Sequence, residues 1–291
     1  MFTFKKEKQE KSTFEFTADI PWKDIQKEYE IASDKLISNL EIQGFRKGKV
    51  PKSIGQKHIK KDNAYKELIQ ALFPRIYEEI VKKEAIRPII NPKIELVKAK
   101  ENEDWQIRIK IAVEPEFKLP DIKSIASEVK TKNKKDEIWV PGKDKTKQES
   151  DKEKEAYKQR ILNEILTLLL NKANIEISDL IIEEELNSRL ARLVDDVQKI
   201  GLTTESYLKS KNITMDQLKA KYTKEIEDTY KVEFLLNKVA DQEKIEVEKE
   251  DLENLFKDIK DEKEKNVAKQ NSYLYAAVLR KQKTLEYLMN L

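Results

Sequence analysis

All eight prolines lie at or before Pro141, and of the five glycines only Gly201 lies beyond Gly142. Proline removes a backbone donor and breaks helix interiors, and glycine weakens them. The second half of the chain is therefore free to run as nearly continuous helix, while the first half must contain the turns. The sequence divides into a mixed N-terminal part and an all-helical C-terminal part.

The first part alternates apolar and polar residues over Phe2–Lys6 and Thr13–Thr17, which predicts two half-buried strands. Asp19 is a candidate N-cap ahead of Pro21. Trp22, Ile25, Tyr29, Ala32, Leu36 and Leu40 then recur at three and four, the stripe of an amphipathic helix. A short helix is expected over Lys52–His58. A longer one, capped by Asp62, carries Leu68, Leu72, Ile76 and Ile80 and has Pro74 inside it as a site for a kink. Ile94–Ala99 and Trp105–Val113 read as a hairpin. Helices on a small antiparallel sheet close such a unit, an α+β domain over 1–114.

Pro115, Pro120, Pro141 and many lysines predict an extended linker over 115–150, with Ile138-Trp139-Val140 as a short strand or anchor. Beyond it, 151–291 reads as an all-α domain of long helices forming arms. One stripe is Ile161, Ile165, Leu168 and Leu169; another is Ile182, Leu186, Leu190, Leu193, Val197 and Ile200, stopped by Gly201. Thr214 caps a helix bearing Leu218, Tyr222, Ile226, Tyr230 and Phe234. Val267, Leu274, Val278, Leu285 and Leu288 mark the last stripe.

Composition excludes several classes of function. Charged residues are 39% and apolar ones 38%, which suits amphipathic helices better than disorder. Lys and Arg number 58 against 55 Asp and Glu, so a basic surface can only be local. The absence of cysteine rules out disulfides, a thiol nucleophile and thiolate metal sites, and fits a cytoplasmic location. No secretory signal is visible in the first ten residues, and no apolar run approaches the roughly 18 residues that span a bilayer, so no membrane partner is expected. The lone His58 has no carboxylate beside it, Asp195-Asp196 reads as a solvated helix face, and no Gly-rich phosphate loop occurs. No catalytic residue, metal site or cofactor is expected.

One stretch is not generic. Between Glu41 and Asp62 there is no acid, yet Arg46, Lys47, Lys49, Lys52, Lys57, Lys60 and Lys61 fall there. Gly44 and Gly48 permit positive φ and a tight tip that carries Phe45. An aromatic beside Arg and Lys suits a polyanionic surface that also has an apolar pocket. The alternative is a solvated basic turn whose phenylalanine tucks beneath its own domain.

Gly44-Phe45-Arg46-Lys47-Gly48-Lys49-Val50-Pro51 resembles the ribosome-docking signature of the bacterial trigger factor family. The flanking strands and helices agree, and Asn174–Glu185 resembles the family's lead into its chaperone arms. The resemblance covers roughly Met1–Pro120 and Lys158–Leu291. It implies that Phe45, Arg46 and Lys47 touch a tunnel-exit protein and rRNA of the large ribosomal subunit. Gly44, Gly48 and Pro51 would shape the loop, and Lys49 would attract phosphate. It further implies an ATP-independent chaperone that holds nascent or unfolded polypeptides in a helical cradle, and a homodimer off the ribosome. Tyr207, Tyr273, Tyr275 and Met289 are candidate client contacts, against ordinary helix packing.

Family members also carry a peptidyl-prolyl isomerase domain of the FK506-binding type, on the order of a hundred residues with many turn glycines. Lys118–Tyr157 holds one glycine and cannot contain it, so no enzyme activity is expected. The rival reading is a non-chaperone helical adaptor whose basic loop binds RNA or another anion.

Overall fold

The computed structural model describes residues 2–134, 147–257 and 261–291, so Ile138-Trp139-Val140 lies outside the described residues. The chain forms two compact units: Met1–Glu114 with Ser178–Leu190, and Pro115–Ile177 with Ala191–Leu291.

In the first unit, strands β1 (Thr3–Gln9), β2 (Thr13–Ile20), β3 (Lys93–Lys98) and β4 (Trp105–Ala112) form an antiparallel sheet in the order β1-β2-β4-β3. Register sets the faces. Phe14, Phe16, Ala18 and Ile20 of β2 pair with Ile111, Ile109, Ile107 and Trp105 of β4, and all eight point to one side. That side meets helices α1 (Trp22–Asn39) and α3 (Lys61–Glu84), whose Ile25, Ala32, Leu68, Leu72, Ile76 and Ile80 complete the core. Each fully buried isoleucine contributes about 1.5–3 kcal/mol by leaving water. The opposite face is polar: Glu15 bridges Arg108 at 2.9 Å and Lys110 at 3.9 Å. Tyr65 ties the helices to the sheet, its ring 4.8 Å from that of Tyr29 and 5.7 Å from that of Trp105.

Two expected caps are taken by other groups. Asp19 accepts from Gln106 Nε2 at 2.8 Å, while the first free N–H of α1, on Trp22, donates to Asp104 Oδ1 at 2.8 Å. Asp62 sits in the first turn of α3 rather than at its N-cap, which is Lys60. Pro74 lies inside α3 without dividing it. The helix stops at Ala85, which adopts φ +50°, and Ile86 N–H closes on the Val81 carbonyl at 3.2 Å.

The unit is completed from far along the chain. Ser178 Oγ lies 2.8 Å from Thr13 Oγ1 in a buried pair and accepts from Leu180 N–H at 3.3 Å, opening helix α6 (Asp179–Lys199). Asp179 and Glu183 bridge Lys11 and Lys93 at 2.6 and 2.9 Å.

The second unit is helical. Within the stretch 115–150 expected as extended linker, the described residues include helix α4 (Ile122–Lys134), which buries Ile122, Ile125, Ala126 and Val129 against α5 (Lys147–Ala173). Spacings of three, one and three place those residues on one stripe, and its burial outweighs the lysine-rich composition. Helices α7 (Thr204–Lys211), α8 (Met215–Gln242), α9 (Lys249–Lys257), α10 (Glu262–Gln270) and α11 (Ser272–Asn290) follow. Helix α8 opens on a full capping box between Thr214 and Gln217 and buries Leu218, Ile226 and Phe234 of the expected stripe. Helices α5, α8 and α11 pack together around Ile165, Leu169, Leu235, Val239 and Leu288. No described helix is long and apolar enough to cross a membrane.

Candidate functional site

The acid-free stretch lies between α1 and helix α2 (Lys52–His58). Two consecutive turns build its tip. Phe45 N–H donates to the Ile42 carbonyl at 3.0 Å, and Lys49 N–H to the Arg46 carbonyl at 2.9 Å. Each turn has a glycine in its third position, Gly44 at φ +93° and Gly48 at φ +79°. That position of a type II turn requires positive φ, which explains why these two residues are glycine. Phe45 closes the first turn and Arg46 opens the second.

The base of the loop is held on both sides. Val50 is buried, and Pro51, at φ −59°, starts α2. Helix α2 lies tightly on α1, since a β-carbon at Gly55 would stand 2.7 Å from Ile37 Cγ2. The tip has no such support. Gly44, Arg46, Lys47, Gly48, Lys49 and Pro51 are all exposed, and Phe45 keeps 38% of its surface in solvent.

The cations of the stretch fall into two groups. Lys47 pairs with Glu41 at 3.6 Å, Lys52 with Asp34, and Lys61 with Glu101 at 3.1 Å. The Glu101 carboxylate beside it holds the Lys61 ammonium above its ordinary range. Arg46, Lys49, Lys57 and Lys60 make no ion pair among the described residues. An exposed aromatic beside an unpaired guanidinium can seat in an apolar pocket and meet an anion in one contact.

The other candidate residues do not come together as one site. Tyr207 and Met289 are half-buried, and Tyr275 packs edge-on against Phe256 at 5.6 Å. Tyr273 is 78% exposed. Beside it lie residues expected in the core stripe of the last helix: Val267, Leu274 and Val278, at 57%, 53% and 65% exposure. Only Leu288 of that stripe is buried. The helix also breaks at Asn271 into α10 and α11. A signal for this exposure stands in the sequence. Tyr273 to Leu279 is apolar throughout, so it wraps the helix on every side, and one neighbouring helix cannot cover it all. Ile200, expected in the α6 stripe, is likewise exposed next to Leu202.

Asp195 and Asp196 are exposed, and Asp196 pairs with Lys199 at 3.1 Å. Among the described residues no group of carboxylates and histidines has the geometry to hold a metal ion.

Comparison with known proteins agrees over the whole fold. A solved structure described as "Promiscuous Substrate Recognition in Folding and Assembly Activities of the Trigger Factor Chaperone" superposes on 99% of this chain and 99% of its own, with a TM-score of 0.65 and 15% identity. The trigger factor of Lactococcus lactis subsp. cremoris (strain SK11) is 27% identical over 180 residues, 62% of this chain and 38% of that protein. The trigger factor of Finegoldia magna is 31% identical over 114 residues, 39% of this chain and 26% of that protein. The matched part of the chain thus spans well under half the length of these relatives. Two family models match: "Bacterial trigger factor protein (TF)" over residues 2–139 and "Bacterial trigger factor protein (TF) C-terminus" over residues 143–288, leaving 140–142 between them. By these matches the chain belongs to the bacterial trigger factor family.

Proposed function

We propose that this protein is an ATP-independent cytoplasmic chaperone that docks at the exit of the ribosomal tunnel and holds nascent or unfolded polypeptides on its helical unit. The observation that carries the reading is the tip itself: Phe45 in solvent between two positive-φ glycines, with Arg46 unpaired beside it. With 38% of its surface in solvent, Phe45 has ring surface left for a partner to cover, and the free guanidinium beside it adds an anion contact at the same place.

Two features support holding. Val267, Tyr273, Leu274 and Val278 leave apolar surface on α10 and α11, and charged residues surround it. Each client methylene buried there gains about 0.8 kcal/mol, so binding is broad without a deep pocket. Prolyl isomerisation is not part of this reading, because the two matched stretches leave no room between them for a further domain.

Two experiments test it. Ribosome co-sedimentation compares the wild type with a Phe45→Ala/Arg46→Ala/Lys47→Ala variant; the variant is expected to stay in the supernatant, and equal pelleting would remove the loop from the mechanism. Light scattering with a chemically denatured client tests holding. The wild type is expected to suppress aggregation and a Leu274→Ser/Val278→Ser variant to do so less well. Ribosome binding without any suppression would leave the adaptor reading.

A further inference from the structure

We infer that the docking surface has a second part, at the far end of α2, where Lys57 and Lys60 take phosphates of a folded RNA. The inference rests on the docking role proposed above and divides its surface by chemistry. The tip offers Phe45 and Arg46, the residue types that anchor protein interfaces. The end of α2 offers something different. Lys57 and Lys60 are exposed, make no ion pair among the described residues, and have exposed Ser53 and Gln56 on the same helix. The neighbouring apolar residues Ile54 and Ile59 are half-buried, so no apolar anchor accompanies the charge. Lysine is depleted from protein interfaces but is a standard neutraliser of phosphate.

The arrangement of acids supports the division. Glu41, Asp34 and Glu101 neutralise Lys47, Lys52 and Lys61, leaving the free cations in two places, at the tip and beyond α2. Asp62 follows Lys60 in the first turn of α3, where the helix N-terminus favours its charge. Rigid packing of α2 on α1 through Gly55 fixes the second set relative to the first. Five residues of helical rise at 1.5 Å each carry Lys57 about 8 Å along the axis from Lys52.

The test uses the whole chain with Lys57→Gln/Lys60→Gln, the Phe45→Ala/Arg46→Ala/Lys47→Ala variant and the wild type. Affinity for ribosomes and for deproteinised large-subunit RNA is measured between 50 and 200 mM KCl. Losing two phosphate contacts should flatten the slope of log K against log salt by about 1.4–1.8, on ribosomes and on RNA alike. An unchanged slope on ribosomes overturns the inference. A flatter slope on ribosomes with no change on RNA also overturns it and assigns the lysines to an acidic protein face. If the tip variant binds ribosomes as the wild type does, the docking role of the tip fails, while the lysine result on RNA still decides its own question.

Discussion

Ile109 on β4 and Val278 on α11 are both apolar residues of regular elements, yet the first is fully buried and the second 65% exposed. The difference lies in what surrounds each element. Strand β4 is hydrogen-bonded on both sides, to β2 and β3, so register assigns every side chain a face. That face is covered by α1 and α3. A helix buries its stripe only where another helix lies along it. The C-terminal half of α11 runs beside α8, with Lys281 on Glu233 at 2.7 Å and Tyr287 on Glu243 at 2.5 Å, and there Thr284 and Leu288 are buried. In the N-terminal half Tyr275 meets Phe256 of α9, but among the described residues no helix covers Leu274 and Val278. Alternation along a paired strand therefore predicts burial better than periodicity along a helix.

The largest expected effect tests that contrast directly. Ile109→Ala should lower the unfolding free energy by about 3 kcal/mol, through lost burial and a cavity. Val278→Ala should change it by less than about 0.5 kcal/mol. Urea unfolding followed by circular dichroism measures both, and similar losses would erase the difference between sheet and ridge. Next comes the rigid base of the loop against its free tip. Gly55→Ala forces a β-carbon against Ile37 and should cost about 2 kcal/mol. At Gly44→Ala nothing stands within 4 Å of the new atom, so only the positive φ is penalised, at about 1 kcal/mol. The reverse order would mean that α2 is loosely held.

Smaller still, Thr214→Ala removes the capping box of α8 and should cost about 1 kcal/mol, detectable as a shift of the urea midpoint. The last effect is a pH dependence at the contact between α11 and the C-terminal end of α8. Donation to Glu243, helped by burial, pushes the Tyr287 phenol up to about 12. The fold favours the neutral phenol over its unfolded value of 10.0, so the contribution is whole below that value and is lost as pH rises from there to about 12. Stability of the wild type should fall across that window more steeply than that of Tyr287→Phe; parallel curves would show that the hydrogen bond does not form.

Much of this was legible beforehand, for physical reasons that differ by element. Helix α2 follows from the proline before it, and β2 and β4 from strict alternation. The cap of α1 was not legible: Asp104, 82 positions from Trp22, supplies it, and no local pattern announces a donor–acceptor pair of that separation. Helix α4 was hidden behind its lysines although Ile122, Ile125, Ala126 and Val129 carry the stripe. At the candidate site, glycine spacing and the missing acids pointed to the loop. Which lysines are neutralised could not be seen, because Asp34, Glu41 and Glu101 reach them through folding rather than through adjacency.

The buried contact between Thr13 and Ser178 has a consequence for how the chain is made. A unit assembled from two separated stretches cannot close while the second is still unsynthesised. Roughly 60 residues separate Glu114 from Ser178, and at about 5–20 residues per second they take several seconds to translate. During that time the sheet can form, but Lys11, Thr13 and Lys93 wait for their partners. Birth order thus makes the N-terminal fold the first to begin and not the first to finish.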